Sequence, residues 1–263
     1  MTTDARPALA ARSRSLDLAA VTALFVALMF LYEAIRDLVG PAVGAAAPLD
    51  HASDVIALER HLRLFVEDDL QRLAQRVGVI DFATTWFYTV GYTAGFICFF
   101  TWIWWRHREK LPFLFGWYWI TNGLALLGYW LYPLAPPRLV PALGLVDPTK
   151  EALKLGGSLS WFEPFRNLYA AMPSMHVGQT VIYAVAITAI LRSPARYLVW
   201  LWPAMMTFTV MATANHYWLD GLAGAVAAGI GLAIALLVFP RLERPWTRRP
   251  APARPAAREV AVT

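Results

Sequence analysis

Six stretches of roughly 20 mostly apolar residues dominate the chain, at 18–35, 79–105, 111–132, 172–191, 197–214 and 217–239, with short polar or basic segments between them. About 20 apolar residues, rising 1.5 Å each in a helix, cover the ~30 Å hydrocarbon thickness of a bilayer, so each stretch predicts a transmembrane helix. The expected fold is therefore all-α, a polytopic membrane protein with six transmembrane helices. The first stretch is followed by Glu33, Arg36 and Asp37 before the alanines at 45–47, which is wrong for a cleavage region and predicts an uncleaved anchor.

Between the first two stretches the pattern changes. Val55, Leu58, Leu62 and Phe65, then Leu70, Leu73 and Val77, recur at helical spacing among many charges. This predicts an amphipathic helix lying along a membrane surface or packed on the other helices. His51 and His61 fall in or beside it with no motif around them. The expected organisation is a cytoplasmic N-terminal tail at 1–17, the anchor and amphipathic segment at 18–78, a catalytic membrane unit at 79–240, and a disordered tail at 241–263 rich in Pro, Ala and Arg.

Composition agrees with the apolar pattern: 58% of residues are hydrophobic, 16% are charged, and 12 are Trp. Of the 23 Lys and Arg, 14 fall in the termini and the loops near 106–110 and 192–196, whereas the other side has 9, diluted by 13 of the 18 acids. Basic residues in short loops mark the cytoplasmic side. The expected location is thus the cytoplasmic membrane, multi-pass, with both termini inside and the net charge of +5 against anionic headgroups. No nucleic-acid motif accompanies the charge, so the partner expected is the lipid bilayer. The single Cys98 excludes an internal disulfide framework and a thiolate metal site.

Two polar islands interrupt the apolar pattern, Pro173-Ser174-Met175-His176 and Asn215-His216-Tyr217-Trp218-Leu219-Asp220. An Asp at the centre of a span costs roughly 2.5–3.5 kcal/mol, so ionisable groups beside hydrocarbon are usually kept for a task. Both islands are expected on the extracytoplasmic face, where they suggest one shared site. His216 and Asp220, four residues apart, share a helical face, so Asp220 can accept the Nδ1 proton of His216 and leave Nε2 as a nucleophile. Such a pair can also tie a loop or bind a metal. Arg138 stands where Pro133, Pro136 and Pro137 stop the third helix, and its guanidinium suits bidentate recognition of a phosphate.

The order Arg138, Pro-Ser-Met-His ending at His176, then His216-x-x-x-Asp220 resembles the signature segments of the type 2 phosphatidic acid phosphatase superfamily, membrane enzymes with a six-helix core. The Tyr132-Pro133-Leu134-Ala135-Pro136-Pro137-Arg138 form and the Asn215-His216-Tyr217 context look more like its inositol phosphorylceramide synthase branch. The resemblance covers roughly 79–239. The chain departs from the family pattern twice: Leu131 stands where the first segment usually has Lys, and Thr209-Val210 where the third usually has Ser-Arg. Lys150, Lys154 or Arg166 can supply compensating charge, and Arg166 is kept as a further phosphate-binding candidate.

The resemblance implies that His216 attacks a phosphoester to form a phosphohistidine while His176 protonates the departing oxygen and later deprotonates the acceptor. Asp220 orients His216, and Arg138 and Ser174 hold phosphoryl oxygens, aided by amides at the helix start. It implies no metal and no cofactor. The expected activity is transfer of a phosphoryl or phosphoinositol head group between lipids, with a phospholipid or polyprenyl phosphate as substrate. Hydrolysis of a lipid phosphate or polyprenyl diphosphate is the close alternative. A transporter or lipid-binding protein that uses the polar cluster only for binding is the alternative of another class.

Overall fold

The computed structural model describes residues 5–43, 46–148 and 167–247, with side chains from 19–38, 46–148 and 167–247. Nine helices make up the described chain: α1 Ala5–Val43, α2 Ala46–Leu62, α3 Glu67–Arg76, α4 Gly78–Trp86, α5 Tyr92–Arg106, α6 Leu111–Leu131, α7 Met175–Ile190, α8 Leu201–Ala212 and α9 Trp218–Val238. The domain is all-α, with no sheet among the described residues beyond one isolated bridge between Leu134 and Ala170. Arg166, Lys150, Lys154 and residues 248–263 lie outside the described residues.

The expectation of six transmembrane helices is overturned. Among the described residues two helical segments are long and apolar enough to cross a membrane, Ala19–Leu38 and Trp218–Val238, with mean hydropathies of 1.7 and 2.3. The multi-pass location in the cytoplasmic membrane, and the outward-facing site deduced from it, fall with the span count that produced them. Each failed span has a local cause. The run at 79–105 is divided between α4 and α5 by a π-type turn at Phe87–Gly91. The run at 197–214 begins as a 3-10 helix, Pro194–Trp200, and leaves only 12 residues for α8. α7 has 16 residues, because Pro173 lies in a bend and Ser174 in extended backbone just before it. α6 reaches 21 residues but carries Trp117, Tyr118, Thr121, Asn122 and Tyr129 on its buried face. Aromatic and polar side chains at those positions serve packing inside the protein and dilute the apolar character of the run.

The predicted amphipathic helix over 53–77 is two helices. α2 and α3 are separated by a reversal at Arg63, whose φ of 58° is left-handed, and Leu64 N–H donates to the Glu59 carbonyl (2.7 Å). Their buried faces carry Glu59, Glu67 and Gln71, not only apolar residues.

The main core lies between α6, α7 and α9. Phe113, Leu114, Trp117 and Tyr118 of α6 pack against Ile182 and Tyr183 of α7 and the small Ala228 and Ala235 of α9. Trp117 Nε1 donates to the Ala228 carbonyl at 2.8 Å, which satisfies its polar edge inside the core. Two glycines set how closely α7 and α9 approach. A methyl at Gly224 would collide with the Ser174 carbonyl oxygen, and one at Gly178 would come within 2.7 Å of the Gly224 carbonyl oxygen. Backbone contact between these helices is what brings their first turns side by side.

Candidate active site

The two polar islands occupy the first turns of α7 and α9. They are joined through the main chain, Ser174 N–H donating to the Asp220 carbonyl at 2.9 Å. The chain enters α9 through a tight turn in which Ala214 has a φ of 52°, a left-handed conformation that disfavours any side chain. The turn is pinned from below, since Asn215 N–H and His216 N–H both donate to the Val210 carbonyl (2.9 and 3.1 Å).

His216 is held in one tautomer. Its Nδ1 lies 2.8 Å from the Ala171 carbonyl and 3.3 Å from Asp220 Oδ2. A peptide oxygen can only accept, so Nδ1 carries the proton and Nε2 carries the lone pair. Burial, and then the charge of Arg138, push the His216 pKa down to about 3 against the opposing pull of the Ala171 hydrogen bond. The imidazole is therefore neutral across the physiological range. Four-residue spacing points to Asp220 alone as the orienting group; in the structure the Ala171 carbonyl is the nearer acceptor. Asp220 Oδ2 also accepts the Tyr217 N–H (2.9 Å), capping the helix that follows.

His176 stands opposite, its ring centroid 5.6 Å from that of His216. Tyr88 and Tyr92, on either side of the start of α5, place their rings 4.4 Å from the His176 ring and fix its plane. Arg138 comes from the 3-10 turn Pro137–Leu139 that follows α6. Its N–H donates to the Ala214 carbonyl (3.1 Å), while its guanidinium donates to Asn215 Oδ1 (2.6 Å) and pairs with Asp147 (3.0 Å). The segment bearing Arg138 is thus tied to the strained turn that presents His216.

Arg138, His176 and His216 line one cavity of about 410 Å³. Asp220 and Ser174 stand outside its lining. Asp220 acts behind His216, and the Ser174 side chain is fully buried with no hydrogen-bond partner for its Oγ. Arg166, the further phosphate candidate, lies outside the described residues.

Several further groups at this site lie outside the sequence motifs. Arg36 of α1 lines the cavity, paired with Glu33 at 2.7 Å and Asp37 at 3.4 Å, and its charge acts on His176 together with that of Arg138. Asn167 anchors that end of α1, its N–H donating to Asp37 (3.0 Å) and its amide to the Arg36 carbonyl (2.9 Å). At sequence level Arg36 counted only against a signal peptide, and an ionisable residue closing an apolar run was the signal that could have found it. The two positions where the chain departs from the family pattern do not face the cavity. Leu131 is 64% exposed, and Val210 is fully buried beneath the turn. Glu59 and Glu67 gave no signal beyond being charges in an amphipathic segment, yet both reach the first turn of α9.

Among the described residues there is no group of three His, Cys, Asp or Glu side chains able to hold a metal ion. The arrangement offers instead a neutral imidazole at the cavity lining, a second imidazole 5.6 Å from it, and two guanidiniums lining the same cavity. A family model described as the PAP2 superfamily matches residues 53–234 of the chain. No curated protein and no solved structure matches it.

Proposed function

Because the chain belongs to the PAP2 superfamily of phosphatases and transferases, we propose that it transfers a phosphoryl or phosphoinositol group from a lipid phosphoester by way of His216. The observation that carries this reading is the fixed tautomer of His216, whose Nδ1 is occupied by Ala171 and Asp220 and whose Nε2 is left for the cavity. His176 takes up a proton as the anionic phosphoester enters beside it; Nε2 of His216 then attacks phosphorus, the bond to the leaving oxygen breaks, and the His176 imidazolium gives that oxygen its proton. An incoming alcohol then returns a proton to His176 as it takes the group from His216. Arg138 and Arg36 stabilise the charge that spreads over the phosphoryl oxygens, so the cationic role needs no divalent ion. The likeness of residues 132–138 and 215–217 to inositol phosphorylceramide synthases supports transfer to a lipid alcohol, and the near-complete burial of His216 disfavours water as acceptor.

The test is incubation of purified protein with a panel of labelled lipid phosphates and phosphodiesters, with and without lipid alcohols, followed by product analysis and trapping of labelled protein. Acid-labile label on His216, absent in His216→Ala, with transfer that survives exhaustive chelation, is the expected result. Release to water alone, whatever alcohol is present, moves the activity to lipid phosphate hydrolysis. Binding without turnover would leave a lipid-binding protein.

A further inference from the structure

Glu59 and Glu67 are fully buried, come from different helices, and take no part in the chemistry above. The reversal at Arg63 places them side by side against the start of α9. There, three consecutive N–H groups end on three different carboxyl groups: Tyr217 on Asp220 (2.9 Å), Trp218 on Glu67 (2.8 Å) and Leu219 on Glu59 (2.7 Å). The first N–H groups of a helix have no partner within it, and a carboxylate there also meets the positive end of the helix dipole. One such cap is ordinary. Here two of the three are brought in by α2 and α3, on the helix that opens directly after His216.

We propose that Glu59 and Glu67 are positioning residues for His216, a carboxyl pair holding a single proton that seats the first turn of α9 and thereby the Asp220 and Tyr217 groups behind the imidazole. The roles within the pair are unequal. Both Glu67 oxygens accept backbone N–H groups, Oε1 from Trp218 and Oε2 from Val66 (2.9 Å), so Glu67 is the ionised member. Glu59 uses only Oε1, and its Oε2 has no partner from the rest of the protein, which makes it the site of the proton. Two adjacent carboxylates in a dry interior cannot both ionise. Burial first, and the charge of Glu67 second, push Glu59 up to about 8. Asp220 and Tyr217 of α9 are the other ionisable groups acting on the pair, with His216 beyond them. α8 brings none to α3, and Asp81 is the ionisable group of α4.

The experiment follows the His216 ring by nitrogen NMR of histidine-labelled protein between pH 6 and 9.5, with the signal assigned by its loss in His216→Asn. In the wild type the Nδ1–H tautomer signature is expected to disappear as pH rises past about 8. In Glu59→Gln it persists to pH 9.5, because the amide keeps both the acceptor for Leu219 and a donor toward Glu67. In Glu67→Gln it is weakened at every pH, because an amide nitrogen must then face a backbone N–H. Superimposable profiles for wild type and Glu59→Gln overturn the proposal. If Glu67→Gln fails to fold, Glu59→Gln alone decides. Any effect on turnover rests on the phosphotransfer reading, and there Glu59→Gln should move the alkaline limb of kcat without moving KM. The ring signals need no substrate, so the expected NMR result with an inactive protein would sink the function and leave the clamp standing.

Discussion

Replacing Asp220 by Asn isolates what the carboxylate adds to a histidine whose tautomer a peptide oxygen already holds. One oxygen, Oδ2, receives both the Tyr217 N–H and the His216 Nδ1–H, while Oδ1 is buried with no partner. An Asn side chain therefore settles with its oxygen at the Oδ2 position and its NH2 at the vacant one, and the acceptor facing Nδ1 is kept. What is lost, at alkaline pH where the buried Asp220 carboxyl is ionised, is the charge on that acceptor. A hydrogen bond to a charged group is worth about 1.5–3 kcal/mol and a neutral one about 0.5–1.5, so the difference is about 1–1.5 kcal/mol. Each 1.4 kcal/mol is about tenfold in rate, so kcat should fall by about tenfold at alkaline pH and by less at lower pH, where burial keeps the Asp220 carboxyl protonated. That is far from the roughly 10⁴-fold loss seen when the Asp of a serine-protease triad is changed to Asn and the wrong tautomer results. The assay is steady-state transfer or release from the lipid substrate identified by the panel, with circular dichroism to verify folding. A loss of 10³-fold or more in folded Asp220→Asn would refute the reasoning, because it would mean that the Ala171 carbonyl does not hold the tautomer.

Arg138→Lys should lower kcat/KM by about 10- to 100-fold, since an ammonium cannot serve Asn215, Asp147 and a phosphoryl group in one plane. Vanadate, which mimics the five-coordinate phosphorus of in-line transfer, should inhibit the wild type, and Arg36→Gln should weaken that inhibition by about tenfold; unchanged inhibition would remove Arg36 from the site. Between pH 6.5 and 8 the unfolded chain has already released the Glu59 proton that the folded protein keeps, so unfolding free energy should fall with rising pH about 1.4 kcal/mol per pH unit more steeply in wild type than in Glu59→Gln, the slope due to buried Asp220 being common to both, as read from chemical denaturation. His216, with its folded value near 3, works in the opposite sense and below that window, its contribution growing as pH rises from 3 to 6.5. Gly224→Ala should cost about 1–3 kcal/mol and most of the activity by forcing α9 off Ser174, whereas Gly229→Ala, with open space around it, should leave thermal stability equal or higher; comparable losses in both would count against the close α7–α9 contact.

The groups that line the cavity were partly legible in the sequence because they sit in short motifs. His176 follows Pro-Ser-Met, His216 and Asp220 share a helical face, and Arg138 stands at a proline stop. Local spacing carries that kind of information. Arg36, Glu59 and Glu67 lie more than 60 residues before the first motif, as single charges in the anchor and the amphipathic segment, and only tertiary packing reveals which face they serve. The all-α character was visible in the long apolar runs. The number of spans was not, because a count of apolar residues is blind to the π-type turn at Phe87–Gly91 and to the 3-10 start of the segment before α8. It is equally blind to aromatic residues, such as those of α6, whose place is inside the bundle.

The main-chain origin of the Ala171 contact bears on how such a site can change over time. A peptide oxygen belongs to every residue type, so no substitution at position 171 deletes it. What can be altered is the placing of the peptide, which is held by Leu134 N–H on the Tyr169 carbonyl (2.8 Å) and by the Tyr129 hydroxyl on the Pro173 carbonyl (3.1 Å). Side chains around the cavity are therefore at liberty to drift toward new ligands while the tautomer of His216 stays put. The chemistry is inherited with the path of the backbone, and the specificity with the side chains hung upon it.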